Sequence, residues 1–281
     1  MSRGSFRYSR LASVLTVALG LLTPTAANMV GAAAGTPGPV ARTSVLEIVS
    51  PASPRGFEAP AARPRPDPEE EARRAARIAA FTNLLVRVPR TLPAYARPSR
   101  RAAQIGVVPA GSKYFGIPIV AWVERVSADG GWGLVELPYT WPRRHGWIRL
   151  AGLDRRKTQI RVVVDLSAHR VTVSKLGRVL FRAPGATGSP STPTPVGEYF
   201  VTDRVPFSAG SSYGSFAFGI SGIQPNLPAG WTGGNQLAIH GTNQPSTIGR
   251  SASAGCIRVS ETTLARLLPL LAYGTPVVIH A

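Results

Sequence analysis

The chain has 281 residues and a formal net charge of +18, with 32 Lys and Arg residues against 14 Asp and Glu. This length exceeds one minimal domain and suits about two small domains plus tails. Only 7% of the residues are aromatic, whereas 29 are Gly and 26 are Pro, which favours turns and strands over a helical bundle. The positive charge favours a polyanionic partner, either nucleic acid or an anionic envelope polymer.

Residues 1–34 have the pattern of a secretory signal peptide. Arg3, Arg7 and Arg10 precede an apolar run from Leu11 to Leu22, and small residues follow it. The run is shorter than the roughly 20 residues that a membrane-spanning helix needs, which favours a cleaved signal peptide. An uncleaved anchor is the alternative. Export disfavours nucleic acid as the partner. It also singles out the lone cysteine of the chain, since a single thiol in an exported protein has no intrachain partner.

Residues 35–81 are predicted to be a Pro/Ala-rich linker that ends in a short helix. The segment up to Pro66 is rich in Ala, Pro and Gly, a composition that buries little surface. Asp67 is placed to cap a helix that Pro68 begins. The acidic residues that follow favour the positive end of the helix dipole.

Residues 82–153 are predicted to form a small all-β barrel, because short apolar stretches alternate with Pro and Gly. The stretches are Leu84–Val88, Ile105–Val108, Ile117–Val126, Trp132–Leu137 and Gly146–Leu150. The sequence from Gly131 to Pro138, followed by His145–Ile148, resembles the closing strands of bacterial SH3-like domains. That resemblance implies help in binding or positioning a substrate, and a purely structural spacer is the alternative.

Residues 158–281 are predicted to form a second, mostly β domain with one packed helix near its end. Ser260 is placed to cap that helix, and four leucines give it one apolar face. The predicted strands are Gln159–Asp165, a hairpin around the turn at Lys175–Gly177, Val196–Asp203, Leu237–His240 and Val277–Ile279. The four leucines are Leu264, Leu267, Leu268 and Leu271. We expect Ser208–Gly234 to be either a mobile lid or a plain hairpin with aromatic packing.

The residues with chemical potential are Cys256 and His240, which lies at the end of a predicted strand. A nucleophilic thiol needs a base that accepts its proton and donors that stabilise an oxyanion. Histidine suits the first task because it titrates near neutral pH. Small residues before Cys256, including Gly255, leave backbone N–H groups open to a carbonyl. By spacing alone, a buried structural cysteine and a core histidine remain the alternative.

The same residues resemble the signature of the L,D-transpeptidase (YkuD) catalytic domain. Ile-His-Gly-Thr begins at Ile239, and Ser-Ala-Gly-Cys-Ile-Arg begins at Ser253. The loop from Gly185 to Gly197 and the closing Tyr-Gly-Thr-Pro-Val-Val-Ile also match that family. The resemblance covers about residues 158–280. It implies a fold in which an SH3-like barrel precedes an L,D-transpeptidase β-sandwich domain with one C-terminal packed helix.

The resemblance assigns roles by position. Cys256 is implied as the nucleophile and His240 as the general base. Gly255, Ser253 and Gly241 are expected to shape the oxyanion site and its loop, with the Gly255 and Cys256 amides as donors. Arg258, Thr242 and Asn243 are expected to bind substrate, although loop support is the alternative for Arg258 and Ser253. The family commonly has Ser-His-Gly-Cys, whereas this chain has Ala254 at the second position, so a second imidazole is missing.

The implied reaction takes place on peptidoglycan stem peptides. Cys256 attacks the third residue of a tetrapeptide stem, D-alanine leaves, and the amine of a neighbouring stem resolves the thioester as a 3→3 cross-link. Resolution by water would make an L,D-carboxypeptidase, and resolution by a free D-amino acid would give exchange. A non-catalytic wall-binding protein is a further alternative. We infer a secreted, cell-wall-associated protein with anionic wall polymers as partners, and without nucleic acid, metal or cofactor.

Overall fold

A computed structural model describes residues 67–208 and 210–281 of the chain. The predicted signal peptide and most of the linker lie outside the described residues. The helices are α1 (Pro68–Ala80) and α2 (Glu261–Leu267), with a 3₁₀ turn at Pro245–Thr247. The strands are β1 (Asn83–Arg87), β2 (Leu92–Tyr95), β3 (Gln104–Val108), β4 (Val120–Val123), β5 (Arg125–Val126), β6 (Trp132–Glu136), β7 (His145–Arg149), β8 (Arg155–Thr158), β9 (Ile160–Asp165), β10 (Arg170–Lys175), β11 (Arg178–Pro184), β12 (Thr187–Gly188), β13 (Gly197–Pro206), β14 (Phe216–Ile223), β15 (Gln236–His240), β16 (Ser251–Ser253), β17 (Ile257–Arg258) and β18 (Pro276–His280). The expected mostly β fold is therefore confirmed.

Helix α1 begins where its sequence predicts. The Asp67 side chain accepts a hydrogen bond from the Glu69 amide at 3.0 Å, which satisfies one of the free N–H groups of the first turn. Pro68 occupies the first turn, where its missing N–H costs nothing. None of the helix residues is buried. Its stability therefore comes from capping and charge placement more than from packing.

Strands β1–β8 form two small sheets around one apolar core. One sheet has the order β4-β1-β8 and the other has the order β3-β2-β7-β6-β5. Fully buried residues such as Val86, Val135 and Ile148 fill the space between them. A Cβ at Gly133 would approach the Leu150 side chain to 2.9 Å, so this glycine allows the close packing. The predicted apolar stretches fall on these strands, and the assignment of residues 82–153 as SH3-like stays a prediction.

Strands of the second region form one eight-stranded sheet with the order β11-β10-β9-β18-β13-β14-β15-β17. The pairs β9–β18 and β15–β17 are parallel, and the other pairs are antiparallel. Helix α2 is capped by Ser260, whose hydroxyl accepts from the Thr263 amide at 3.2 Å. Its Leu264 and Leu267 are completely buried against the sheet, as the apolar spacing predicts.

Ser208–Gly234 contains β14, a central strand that is buried on both faces. It pairs with β13 as an antiparallel hairpin, which agrees with the hairpin alternative. The structure corrects the expected length of the C-terminal helix. Helix α2 ends at Leu267, and Leu268 caps it, since Pro269 follows and disfavours a longer helix. Strand β17 lies between Cys256 and α2.

The described residues lie in one compact unit, in which the two β regions share a buried boundary. Phe200 of β13 is 1% exposed and packs into the core of β1–β8. The Ser221 hydroxyl on β14 donates to the Glu136 carboxyl on β6. Arg143 lies over the Tyr199 ring and donates to the Glu198 carbonyl at 2.8 Å. Across the described residues, the helices are too short or too polar to span a bilayer.

Candidate active site

Two adjacent parallel strands bring the predicted base and nucleophile to one face of the sheet. In the β15–β17 ladder, Ile239 lies opposite Ile257 and His240 lies opposite Arg258. Continued by one residue, this register puts Cys256 beside Ala238. Side chains two positions apart on a strand share a face, so Cys256 and His240 are diagonal neighbours on the same side.

His240 is held as a neutral imidazole with a defined orientation. It is 4% exposed, and its Nδ1 lies 2.5 Å from the carbonyl oxygen of Gly241. An acceptor at this distance puts the proton on Nδ1, so Nε2 carries the lone pair. Burial lowers the pKa of His240 to about 4, and the positive charge of Arg258 adds to this effect. The imidazole is therefore unprotonated at neutral pH and can accept a proton.

Tyr213 forms the wall of the site beside the imidazole. Its ring centroid lies 4.8 Å from that of His240, and its other face stacks on Phe207 at 4.8 Å with an 18° angle between the rings. From the sequence alone, Tyr213 is one aromatic residue among several in the Ser208–Gly234 segment. Its place beside the base could not be read from spacing, because the contact depends on how the loop after β13 folds back over β15.

The Cys256 thiol is partly buried and rests in its neutral form. Its Sγ lies 3.9 Å from the Gln236 carbonyl oxygen. Burial raises the pKa of the thiol, against opposing effects of the Ala238 N–H and the Arg258 charge. Because both Cys256 and His240 favour their neutral forms, the geometry favours proton transfer during nucleophilic attack over a preformed ion pair.

The loop that presents Cys256 is closed by Ser253. This residue is 3% exposed, and its hydroxyl donates to the Cys256 carbonyl at 2.6 Å while it accepts from the Gly255 amide at 3.0 Å. The Gly255 N–H is therefore already occupied, which corrects its expected role as an oxyanion donor. Of the two predicted donors, the Cys256 amide remains. Gly255 has φ +114°, and a Cβ there would collide with the Gln224 amide, so the loop requires glycine at this position.

A second loop holds the Cys256 loop in place. The Thr194 hydroxyl donates to the Gly255 carbonyl at 2.8 Å, and the Thr192 hydroxyl donates to the Ser253 carbonyl at 3.0 Å. Gln224 in turn donates to the Thr192 carbonyl at 3.1 Å. These residues were not predicted as part of the site. The threonines lie in the Gly185–Gly197 loop that resembles the family, but only the fold shows what their hydroxyl groups contact.

Arg258 lies at the rim, with its guanidinium only partly paired. Its Nη1 lies 3.2 Å from the Gln244 side-chain oxygen, while its buried Nε has no hydrogen-bond partner within the described part of the chain. Thr242 accepts from the Gln244 amide at 3.0 Å, and Asn243 donates to the Gly210 carbonyl at 3.2 Å. The first is a local turn contact, whereas the second joins residues 33 positions apart in the chain. Gly241 is buried, and a Cβ there would collide with the Glu261 carboxylate.

A cavity of about 430 Å³ opens on this face of the sheet. Gln236 and Ala238, whose backbone groups contact the thiol, form part of its floor. Tyr213 contributes one wall, and Tyr114 and Phe115 from the β3–β4 connection contribute another.

The described residues also contain one group of metal-ligand type. Ligand atoms of Glu124, His145 and Glu198 all lie within 4.8 Å of one another. Sequence spacing alone gave no reason to pair His145 with these carboxylates. His145 Nε2 lies 3.1 Å from a Glu124 oxygen, so an imidazole–carboxylate pair accounts for this contact. The group contains neither His240 nor Cys256.

Comparison with known proteins agrees with the site geometry. Residues 159–279 match the model of the YkuD family, the L,D-transpeptidase catalytic domain. The match falls on the same part of the chain in which the sequence resembles that family. The chain is 30% identical over 119 residues to the putative L,D-transpeptidase YkuD of Bacillus subtilis (strain 168), covering 42% of this chain and 65% of that protein. The Bacillus licheniformis protein of the same description is 30% identical over 117 residues, covering 42% of this chain and 63% of that protein. The chain thus spans somewhat less than two thirds of the length of these curated relatives.

Solved structures with a similar description also match. An L,D-transpeptidase from Mycobacterium smegmatis is 19% identical, with a TM-score of 0.36, over 58% of this chain and 89% of that one. An L,D-transpeptidase from Mycobacterium tuberculosis H37Rv is 20% identical, with a TM-score of 0.38, over 75% of this chain and 85% of that one.

Proposed function

We propose that the protein is a peptidoglycan L,D-transpeptidase that forms 3→3 cross-links through an acyl-enzyme on Cys256. The observation that supports this most strongly is the arrangement of His240 and Cys256. The Nδ1 proton of the base is held by the Gly241 carbonyl, so Nε2 carries the lone pair, and the thiol lies on the same face of the sheet. That arrangement provides a nucleophile and a general base on the face of the sheet where the cavity opens.

In the first half-reaction, His240 Nε2 takes the thiol proton while Cys256 Sγ forms a bond to the carbonyl carbon of the third stem residue. The electron pair of the carbonyl moves to its oxygen, where the Cys256 N–H stabilises the negative charge. When the tetrahedral intermediate collapses, the bond to the D-alanine nitrogen breaks. The proton on His240 passes to that nitrogen, and a thioester remains on Cys256.

In the second half-reaction, the side-chain amine of a neighbouring stem attacks the thioester carbonyl. His240 takes a proton from the attacking nitrogen and returns it to the Cys256 sulfur as that bond breaks. Atoms and charge therefore balance with D-alanine and a cross-linked dimer as products. Water or a free D-amino acid in place of the amine would give carboxypeptidase or exchange products from the same intermediate.

Arg258 is proposed to hold a carboxylate of the stem. Its guanidinium Nε is buried without a partner in the described structure, so an anion there would satisfy a donor that otherwise costs free energy. Planar guanidinium groups suit carboxylates because two N–H groups point in parallel. Thr242 and Asn243 shape the rim beside it.

The rest of the chain suits an envelope enzyme. We propose that residues 1–34 direct export, that residues 82–153 form an SH3-like domain that helps position the substrate, and that residues 158–281 are catalytic. The +18 charge favours retention on anionic wall polymers. Retention by charge weakens as salt rises, since added ions screen exposed charges.

The direct test is the intact mass of the full chain after it is mixed with a disaccharide-tetrapeptide. We expect D-alanine release and an acyl adduct on Cys256. His240→Ala should slow adduct formation by a factor of about 10² to 10⁴, the usual contribution of a general base, and Cys256→Ala should abolish it. An unaltered protein that binds the tetrapeptide but releases no D-alanine would support the non-catalytic wall-binding alternative instead.

A further inference from the structure

One carboxyl group near the proposed active site is buried and only half satisfied. Asp203 on β13 is 1% exposed. Its Oδ2 accepts from the Thr202 hydroxyl at 2.7 Å and from the Gln236 amide at 2.6 Å. Its Oδ1 is buried and has no hydrogen-bond partner in the part of the chain that the structure describes. Leaving such an atom unpaired costs free energy, which suggests that something else binds it.

Asp203 lies in the same row across the sheet as the nucleophile. Asp203 is opposite Gly219 in β14, and Gly219 is opposite Ala238 in β15. The β15–β17 register extends the row to Cys256. Three strand spacings of about 4.8 Å place the backbone of Asp203 roughly 14 Å from that of Cys256. The two residues between them have almost no side chain, so the floor of the cavity is flat and open.

Most of the remaining lining of the cavity is apolar, and Thr232 and Gln236 add polar groups. Five apolar or aromatic residues line it together with the carboxyl group of Asp203, namely Tyr114, Phe115, Val205, Phe207 and Tyr213. In such surroundings a carboxylate interacts strongly with a cation, because little water competes. It also repels a second carboxylate, so the free acid of the departing D-alanine would be disfavoured at this end. The cavity therefore fits an aliphatic side chain that ends in an ammonium group.

The proposed substrate has such a side chain on the residue that Cys256 attacks. In the family that the sequence resembles, the third stem residue is usually a diamino acid, whose side chain ends in an amine. An aliphatic stem of about four carbons, as in lysine, extended from the acyl carbon along Ala238 and Gly219, would point its ammonium group at the Asp203 end of the row. We propose that Asp203 is the specificity-determining residue that binds the side-chain ammonium of the diamino acid in the donor stem. This inference rests on the proposed function.

The rival role for Asp203 is structural. In that role its Oδ2 would only accept hydrogen bonds from Thr202 and Gln236 and so stabilise the pairing of these residues across the sheet. The variant Asp203→Asn keeps one oxygen for those two donors and replaces the unpaired oxygen by an NH₂ group. It therefore removes the charge while it preserves the shape. Asp154→Asn is the matched control, because Asp154 is an exposed carboxylate that pairs only with nearby Arg156.

The experiment measures acyl-enzyme formation in a single turnover, with the full chain in excess over donor and with D-alanine release as the second readout. Two donors are compared: a tetrapeptide with the side-chain amine of its third residue, and the same peptide in which hydrogen replaces that amine. Single turnover keeps the amine from acting as acceptor. The alkylation rate of Cys256 by neutral iodoacetamide reports separately whether the thiol site is intact.

We expect the unaltered chain and Asp154→Asn to acylate about 10- to 100-fold faster with the amine-bearing donor, the range for a hydrogen bond to a charged group. Asp203→Asn should lose this preference, with unchanged alkylation and an unchanged rate on the deaminated donor. Equal loss on both donors, or no preference in the unaltered chain, would overturn the inference while leaving the proposed function standing. No D-alanine release from either donor by a chain whose thiol alkylates normally would overturn both.

Discussion

Glu136→Gln is expected to remove a pH-dependent loss of stability at the boundary between the two β regions. Glu136 is 2% exposed, accepts a hydrogen bond from Ser221, and lies 3.9 Å from an Arg143 nitrogen. Burial raises the pKa of its carboxyl to about 8, although Ser221 and Arg143 both act to lower it. In the folded protein at pH 7 the group is therefore mostly protonated.

The sign follows from comparing the two states. Unfolding returns Glu136 to its ordinary pKa of 4.5, so above that pH the unfolded chain loses a proton that the folded chain keeps. The contribution of the Glu136 carboxyl to stability is therefore fully present below pH 4.5 and is lost as pH rises through about 8. A shift from 4.5 to about 8 corresponds to about 5 kcal/mol, at 1.36 kcal/mol per pKa unit. Most of this, about 4 kcal/mol, falls between pH 5 and pH 9.

Urea unfolding at pH 5, 7 and 9 measures this directly. The unfolding free energy of Glu136→Gln, minus that of the unaltered protein, should rise by about 4 kcal/mol from pH 5 to pH 9. Subtraction removes the contributions of other titrating groups. Glu71→Gln, an exposed change on α1, should follow the unaltered protein at every pH. Parallel profiles for Glu136→Gln and the unaltered protein would refute the reasoning.

Three further outcomes are expected at the candidate site. Because burial raises the pKa of the Cys256 thiol, iodoacetamide should alkylate it slowly at pH 7 and still gain rate above pH 9; a plateau by pH 8 would contradict this. Gly255→Ala should lose acyl-enzyme formation and destabilise the fold by about 1–3 kcal/mol more than Gly249→Ala. Both glycines have positive φ, but only a Cβ at Gly255 would meet another group, the Gln224 amide. Equal thermal unfolding of the two variants would argue against the packed loop. From the family resemblance, we expect a carbapenem to acylate Cys256, so that intact-mass spectrometry shows the added mass on the unaltered chain and not on Cys256→Ala. An unmodified thiol after long incubation would count against the proposed acylation chemistry.

Local pattern predicted the elements whose sequence contains its own signal. The β10–β11 hairpin follows from the alternation of Val171 and Val173, both completely buried, and from the turn at Leu176 and Gly177, both at positive φ. Strand β14 lacks such a signal, because it is buried on both faces and does not alternate. Strand β8 was missed for the opposite reason, since its residues are charged and mostly exposed.

The candidate site likewise contains residues that a local motif predicts and residues that only the folded structure brings together. Cys256 and His240 were found because they lie in short motifs that resemble a family. The hydroxyl groups that hold their loop were not found, since Thr194 and Gly255 are 61 positions apart in the chain. Asp203 lies inside a strand without any motif around it. Its unpaired oxygen becomes visible only when β13, β14 and β15 are assembled into one sheet.

The central claim is that Cys256 and His240 transfer the acyl group of one stem to the amine of another. Mass spectrometry of products from the full chain and disaccharide-tetrapeptide tests it most directly, with Cys256→Ala and His240→Ala as controls. The account predicts a dimer that lacks one D-alanine, absent from the Cys256→Ala reaction and strongly reduced with His240→Ala. A lone tripeptide product would contradict the cross-linking step, and unchanged tetrapeptide in every sample would contradict the claim as a whole.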